Sequence, residues 1–201
     1  MNDDPDPDSD ALLAPDPDAS RFPAPSRLPA QSGLPDLLET AAGESVEAAA
    51  DWRDRRDELE RLLRHYVYGY APAPPAVETD VDRTEGVLDG AATLTEVAIR
   101  FPGLSAGAPS ITLALFRPAA ESPVPVVLGL NQGGNHAVVD DDAVSVTDAA
   151  RRFGVDERGR RRDAWCVDRI VERGYGFATY HSADVDPDED DFTDGIHPHY
   201  A

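Results

Sequence analysis

Pro123-Val124-Pro125-Val126-Val127-Leu128-Gly129-Leu130-Asn131 is apolar at nearly every position. Strands half exposed to water alternate apolar with polar side chains, whereas a strand covered on both faces reads as an unbroken apolar run. This stretch therefore predicts a central strand of an α/β sheet. It runs into Asn131-Gln132-Gly133-Gly134-Asn135-His136, a glycine turn at the carboxyl end of the strand. Such a turn can let backbone approach a substrate and turn an N–H toward a developing oxyanion. Asn131, Gly133, Gly134, Asn135 and His136 are thus candidates for one wall of a site, and a plain glycine turn with His136 as a polar edge residue is the alternative.

Upstream of this run, Val97, Ile99 and Phe101 alternate with Ala98 and the charged Glu96 and Arg100, and Ile111, Leu113 and Leu115 alternate in turn. That period of two predicts two antiparallel strands. Earlier still, Trp52, Leu59, Leu62, Leu63, Tyr66, Val67 and Tyr70 recur at steps of three and four. This is an amphipathic helix beginning near Ser45, read as its N-cap with Glu47 in the first turn, and ending at Gly69 before Pro72, Pro74 and Pro75.

Downstream, an acidic and then Arg-rich loop leads to Ala164, Cys166, Val167, Ile170 and Val171, a helical stripe closed by Gly174, and then to Tyr175-Gly176-Phe177-Ala178-Thr179-Tyr180-His181-Ser182, a second buried strand. The order strand, strand, strand, helix, strand opens the α/β-hydrolase fold, whose nucleophile elbow comes one helix and one strand later. The expected fold class is α/β, an incomplete α/β-hydrolase fold with an N-terminal antiparallel hairpin followed by parallel strands and a crossover helix. Residues 1–44 carry dense Pro and Asp without periodicity and are expected to form a disordered acidic lead, with residues 45–201 forming the domain.

The net charge is −21, from 39 acidic residues against 18 basic ones, all of them Arg. A field of that sign repels phosphate backbones and anionic lipid, so neither nucleic acid nor a membrane surface is expected as a partner. The same excess suits a halophile's protein, kept soluble where salt screens self-repulsion. One cysteine, Cys166, excludes an internal disulfide and a multi-Cys zinc site. Neither a signal-peptide pattern nor an apolar run near the ~20 residues of a membrane span is present, which predicts a cytoplasmic location.

Three motifs invite sharper readings that their context does not support. Gly103-Leu104-Ser105-Ala106-Gly107 satisfies G-x-S-x-G, with Asp186 and His197 following in the hydrolase order. An elbow needs a strand before the serine and a helix after it, whereas this segment joins two alternating strands and is flanked by Pro102 and Pro109. Asp184-Val185-Asp186-Pro187-Asp188-Glu189-Asp190-Asp191 resembles the start of a calcium loop, but Glu189 takes the place of the required Gly and Gly195 that of the bidentate Glu. It is read as a solvated acidic loop. His197-Pro198-His199 lacks a third ligand pattern. No catalytic residue, metal or cofactor is assigned.

Several pieces in order resemble the glucuronoyl esterase family of carbohydrate esterases and its acetyl-xylan-esterase-like relatives. They are Trp52 and Arg55-Arg56 leading to Tyr66-Val67-Tyr68-Gly69; Leu128 to Asn131 running into Gly134-Asn135-His136; Arg158-Gly159 with Trp165; Arg173-Gly174-Tyr175-Gly176 with Ala178-Thr179-Tyr180; and Asp184 to Asp188 followed by Gly195-Ile196-His197-Pro198. The resemblance implies ester hydrolysis by a serine, a histidine and an acidic residue on a hemicellulose uronic acid or acetyl group. Those three residues follow the part of the family that matches here. The chain is accordingly expected to be an N-terminal fragment, inactive alone, whose full-length enzyme takes a carbohydrate ester and whose partner is a C-terminal complementary half. A non-enzymatic binding module using the loop at residues 131–136 is the alternative.

Overall fold

The computed structural model describes residues 17, 20–30, 32–71, 73–105, 107–190, 193 and 195–199, so the first sixteen positions of the acidic lead lie outside the described residues. The chain forms two compact units, Met1–Pro74 and Pro75–Ala201.

In the first unit, helix α1 (Ala49–Leu63) runs into one π-helical turn, Arg64–Tyr68, which ends at Gly69 with φ +73°. The start of α1 differs from expectation. Asp51 Oδ2 accepts the N–H of Ala48 at 2.9 Å and of Glu47 at 3.2 Å, so the cap is built at Ala48, while Ser45 forms a single antiparallel bridge with Glu39. The helix buries a charge rather than its apolar stripe: Arg55 is 4 % exposed, paired with Glu58 at 2.6 Å and donating to the carbonyls of Leu37 and Asp36.

The second unit is built on a five-stranded mixed sheet, β1 (Glu78–Val87), β2 (Ala92–Arg100), β3 (Ile111–Pro118), β4 (Val126–Asn131) and β5 (Gly176–His181), in the spatial order β1-β2-β3-β5-β4. Strands β1, β2, β3 and β5 pair antiparallel in succession, and β4 lies parallel to β5 with Leu128 opposite Ala178. The expected β2–β3 hairpin is present, with Val97 opposite Leu113. Its partner β1 carries no apolar alternation because all but Val87 of its residues are exposed.

Leu94, Phe116 and Phe177 are buried with Val138, Val139, Val144, Val167 and Val171 in one core. Trp165 meets Phe177 edge-on at 5.6 Å, an arrangement the ring quadrupoles favour.

Two expectations are corrected here. The unbroken apolar run is an edge strand and β5 is the interior one: in β4, Val126, Val127, Leu128 and Leu130 are each 46–63 % exposed, whereas β5 is buried at all but Tyr180. The Trp165 ring packs so close beneath Gly129 that a Cβ there would lie 2.6 Å from it, so one face of β4 is covered at that point. The single crossover helix is also two short helices, α3 (Arg162–Trp165) and α4 (Val167–Glu172), broken at Cys166, whose φ of +49° no continuing helix tolerates. Preceding them, helix α2 (Asp148–Arg152) is capped by Thr147, whose hydroxyl accepts the Ala150 N–H at 3.3 Å.

Candidate functional site

In open α/β sheets ligands bind beyond the carboxyl ends of the parallel strands. Here those ends are Asn131 on β4 and His181 on β5, which face each other in register. The Asn131 side chain organises the turn that follows. Its Nδ2 donates to Asn135 Oδ1 and to Thr179 Oγ1, both at 2.9 Å, and its Oδ1 accepts the Gly133 N–H at 3.2 Å. Asn135 Nδ2 in turn donates to the Thr112 carbonyl at 2.6 Å. Gly134 adopts φ +86° directly over the His136 ring, where a Cβ would approach Cε1 to 2.5 Å. Only glycine combines that backbone angle with that contact.

Of the expected wall residues, Asn131, Asn135 and His136 are buried and their side chains shape the turn. Gly133 and Gly134 line a cavity of about 210 Å³ with Gln132, Trp165 and Arg161. His136 Nε2 donates to the Val155 carbonyl at 2.7 Å, and its Nδ1 is buried without a partner among the described residues. Burial is the main cause holding its pKa below the usual imidazole value, with Arg158 and Arg160 adding to the effect.

A second group of polar residues at this edge escaped the sequence reading. His181 is 2 % exposed and Asp184, in the turn that follows, is 4 % exposed. Asp184 Oδ2 accepts the Thr112 N–H at 3.2 Å, and its Oδ1 lies 3.8 Å from His181 Nδ1, which is also 3.5 Å from the Thr147 hydroxyl. Burial pushes the Asp184 carboxyl above its ordinary pKa against the pull of hydrogen bonds from Thr112 and Thr147, and burial likewise lowers His181. The segment expected to be a solvated acidic loop is therefore solvated only in its second half: Asp188, Glu189 and Asp190 are exposed, but Asp184 is not. The position of His181 at the carboxyl end of a parallel strand was the available signal for this cluster.

Ser105 stands in the connection between antiparallel β2 and β3, without the strand-to-helix turn of an elbow. Its Oγ nevertheless lies 2.6 Å from His199 Nδ1. Among the described residues no carboxylate hydrogen-bonds the far nitrogen of that histidine.

The mixed sheet, its parallel pair and the turn at the carboxyl end of β4 place this chain in the α/β class, with the layout of the opening part of an α/β hydrolase. No family model matches the chain. It is 35 % identical over 182 residues to a carbohydrate esterase of an unknown prokaryotic organism, a match that covers 83 % of this chain and 42 % of that protein. It is 27 % identical over 164 residues to a 4-O-methyl-glucuronoyl methylesterase of Neurospora crassa, covering 71 % and 38 % of the two chains. Its fold superposes on a glucuronoyl esterase from Solibacter usitatus with a TM-score of 0.69 at 31 % identity, covering 86 % of this chain and 46 % of that one. By sequence and by fold the chain is similar to part of these esterases, and it spans less than half the length of each. Among the described residues no helix is long and apolar enough to cross a membrane.

Proposed function

We propose that these 201 residues are the sheet-and-wall portion of a carboxylic ester hydrolase of glucuronoyl esterase type, acting on a carbohydrate ester by Ser–His–acid acyl transfer. The nucleophile, its histidine and the acid come from residues outside this sequence, either a continuation or a complementary half, and the chain alone turns over no ester. The observation carrying this reading is the open edge of β4. A parallel strand whose side chains are 46–63 % exposed at four of six positions has the composition of a sheet interior and the surroundings of a sheet edge. A further strand beside it supplies the missing neighbour, and the similarity to under half of each relative is consistent with that. We further infer a saline setting from the charge of −21.

The test pairs DNA sequence with assay. Coding sequence adjoining this one should carry a G-x-S-x-G elbow and a later histidine. Adding that segment should turn a preparation inactive on a methyl glucuronate ester into an active one. An unrelated adjoining gene, or no gain on complementation, counts against the proposal.

The Ser105–His199 pair supports a second reading, a small esterase complete in this chain. It requires that the chain alone hydrolyse an ester and that Ser105→Ala abolish the turnover. The missing acidic partner makes it the weaker of the two.

A further inference from the structure

His136 is fully buried, and its surroundings fix one protonation state. Because a carbonyl can only accept, the 2.7 Å contact with the Val155 oxygen places the ring proton on Nε2. Nδ1 is then a lone pair, buried without a partner among the described residues. A proton added there would be a donor with no acceptor, on a cation shut away from water. The charged groups that face the ring are Arg158, Arg160 and Asp156 from the loop 155–161 and His181 from β5, while helix α2 meets the same turn through the Ala150 methyl. Two guanidinium groups and a second imidazole against one carboxylate give a positive charge no support at this place. What the ring holds is the loop. His136 Nε2 binds Val155, the His136 carbonyl accepts the Gly159 N–H at 3.0 Å, and the Ala137 carbonyl accepts the Arg161 N–H at 2.8 Å. The loop in turn lays the Arg160 guanidinium over Gly133, where a Cβ would lie 3.5 Å from Nη2, and brings Arg161 to the wall of the 210 Å³ cavity at that turn. One anchor of the loop does not titrate: Arg158 Nη1 donates to the carbonyls of Asp141 and Val144 at 3.0 and 2.6 Å.

We propose that His136 is a proton-operated latch: neutral, it holds the loop 155–161 closed with Arg160 over the glycine turn; protonated at Nδ1, it leaves its site and the loop opens on the Arg158 anchor. The latch controls access to the turn whatever binds there, so it stands apart from the esterase reading. Its direction follows from linkage. The open form takes up the proton with the ordinary affinity of an imidazole, and the closed form does not. Each pH unit below the usual value near 6.5 therefore shifts the balance toward opening about tenfold, until the closed form itself is protonated. Because Arg158 stays bound throughout, the opening is confined to the loop and leaves the sheet intact.

The experiment is amide hydrogen exchange by NMR on the full chain in about 2 M KCl, which screens its charge, with each rate taken relative to that of an unstructured peptide at the same pH. Between about pH 8 and about pH 5 the Gly159 and Arg161 amides should lose about tenfold of their protection or more, while the amides of β5 keep theirs. The ring nitrogens of His136 should report the Nε2–H form at the upper end and the imidazolium only in step with that loss. His136→Gln keeps a side-chain N–H for Val155 and takes up no proton in this range, so it should remove the pH dependence. Protection at Gly159 and Arg161 that stays constant, or that is lost only together with β5, would overturn the latch. So would an imidazolium that forms while the loop is still protected, or a folded His136→Gln chain with the wild-type pH dependence. Should that variant fail to fold by circular dichroism, the ring and amide signals of the wild-type chain decide alone.

Discussion

His181 and Asp184 are both held away from their ordinary titration by burial, and the two act on stability with opposite signs. His181 titrates below the usual value near 6.5 in the folded chain, as does His136. The unfolded chain therefore binds more protons as the pH falls through that value, and stability is lost on the acid side. Asp184 titrates above its usual value near 3.8, so the folded state holds the extra proton and stability falls as the pH rises from that value. Denaturant midpoints should thus fall from neutral pH to below 6, and the fall should shrink in His181→Asn. In Asp184→Asn the decline that sets in above pH 3.8 should be reduced. An unchanged acid-side slope in the histidine variant would show that His181 is protonated freely in the folded chain. The place of His181 at a strand end was the one signal in the sequence, and nothing marked Asp184, because burial of a polar side chain is a tertiary property. Asp184 sits at the head of an acidic run whose later members Asp188, Glu189 and Asp190 are exposed. Asn131 was legible, because a polar residue ending an apolar run before two glycines marks a strand end.

Strand identity was easier to read than strand position. The hairpin β2–β3 and the strand β5 followed from period and apolarity, and the glycines at 69 and 174 ended helical segments as expected. β1 was invisible because nine of its ten residues are exposed, leaving no buried face to impose alternation. The run in β4 was misplaced for the opposite reason: its composition reports the cover it requires, and in this chain it stands at the edge. An exposed, flat apolar edge strand is a template for pairing with another chain. The folded protein should therefore self-associate with rising concentration, measured by sedimentation velocity. Leu128→Lys, with Leu128 63 % exposed, should suppress the association and leave the thermal midpoint nearly unchanged. A wild-type monomer at the highest soluble concentration would show that this edge is already protected. Should the adjoining segment restore activity, the same lysine should also slow complementation, since both processes use one edge.

At the scale of the molecule the excess of 39 acidic side chains over 18 arginines acts on every element at once. Two salt effects oppose each other. Screening weakens the exposed ion pairs Arg64–Glu60, Arg151–Asp148 and Arg162–Asp168. It also weakens the repulsion among carboxylates, such as Glu78, Asp82 and Glu85 on β1, where every residue but Val87 is exposed. Exposed pairs contribute little, since water already screens them and holding two long side chains costs entropy. The repulsion, by contrast, sums over a net charge of −21. Its relief should dominate as the Debye length shrinks from about 8 Å at physiological ionic strength to about 3 Å at 1 M. The thermal midpoint should consequently rise with KCl and flatten once screening is complete, with potassium sulfate at equal ionic strength adding a further increase through stronger apolar burial. The charge was fully legible in the sequence, but its consequence depends on how many carboxylates lack a cation beside them, which only the fold decides. A midpoint that falls as KCl is added would mean that the ion pairs outweigh the repulsion, and the saline setting inferred from composition would have to be abandoned.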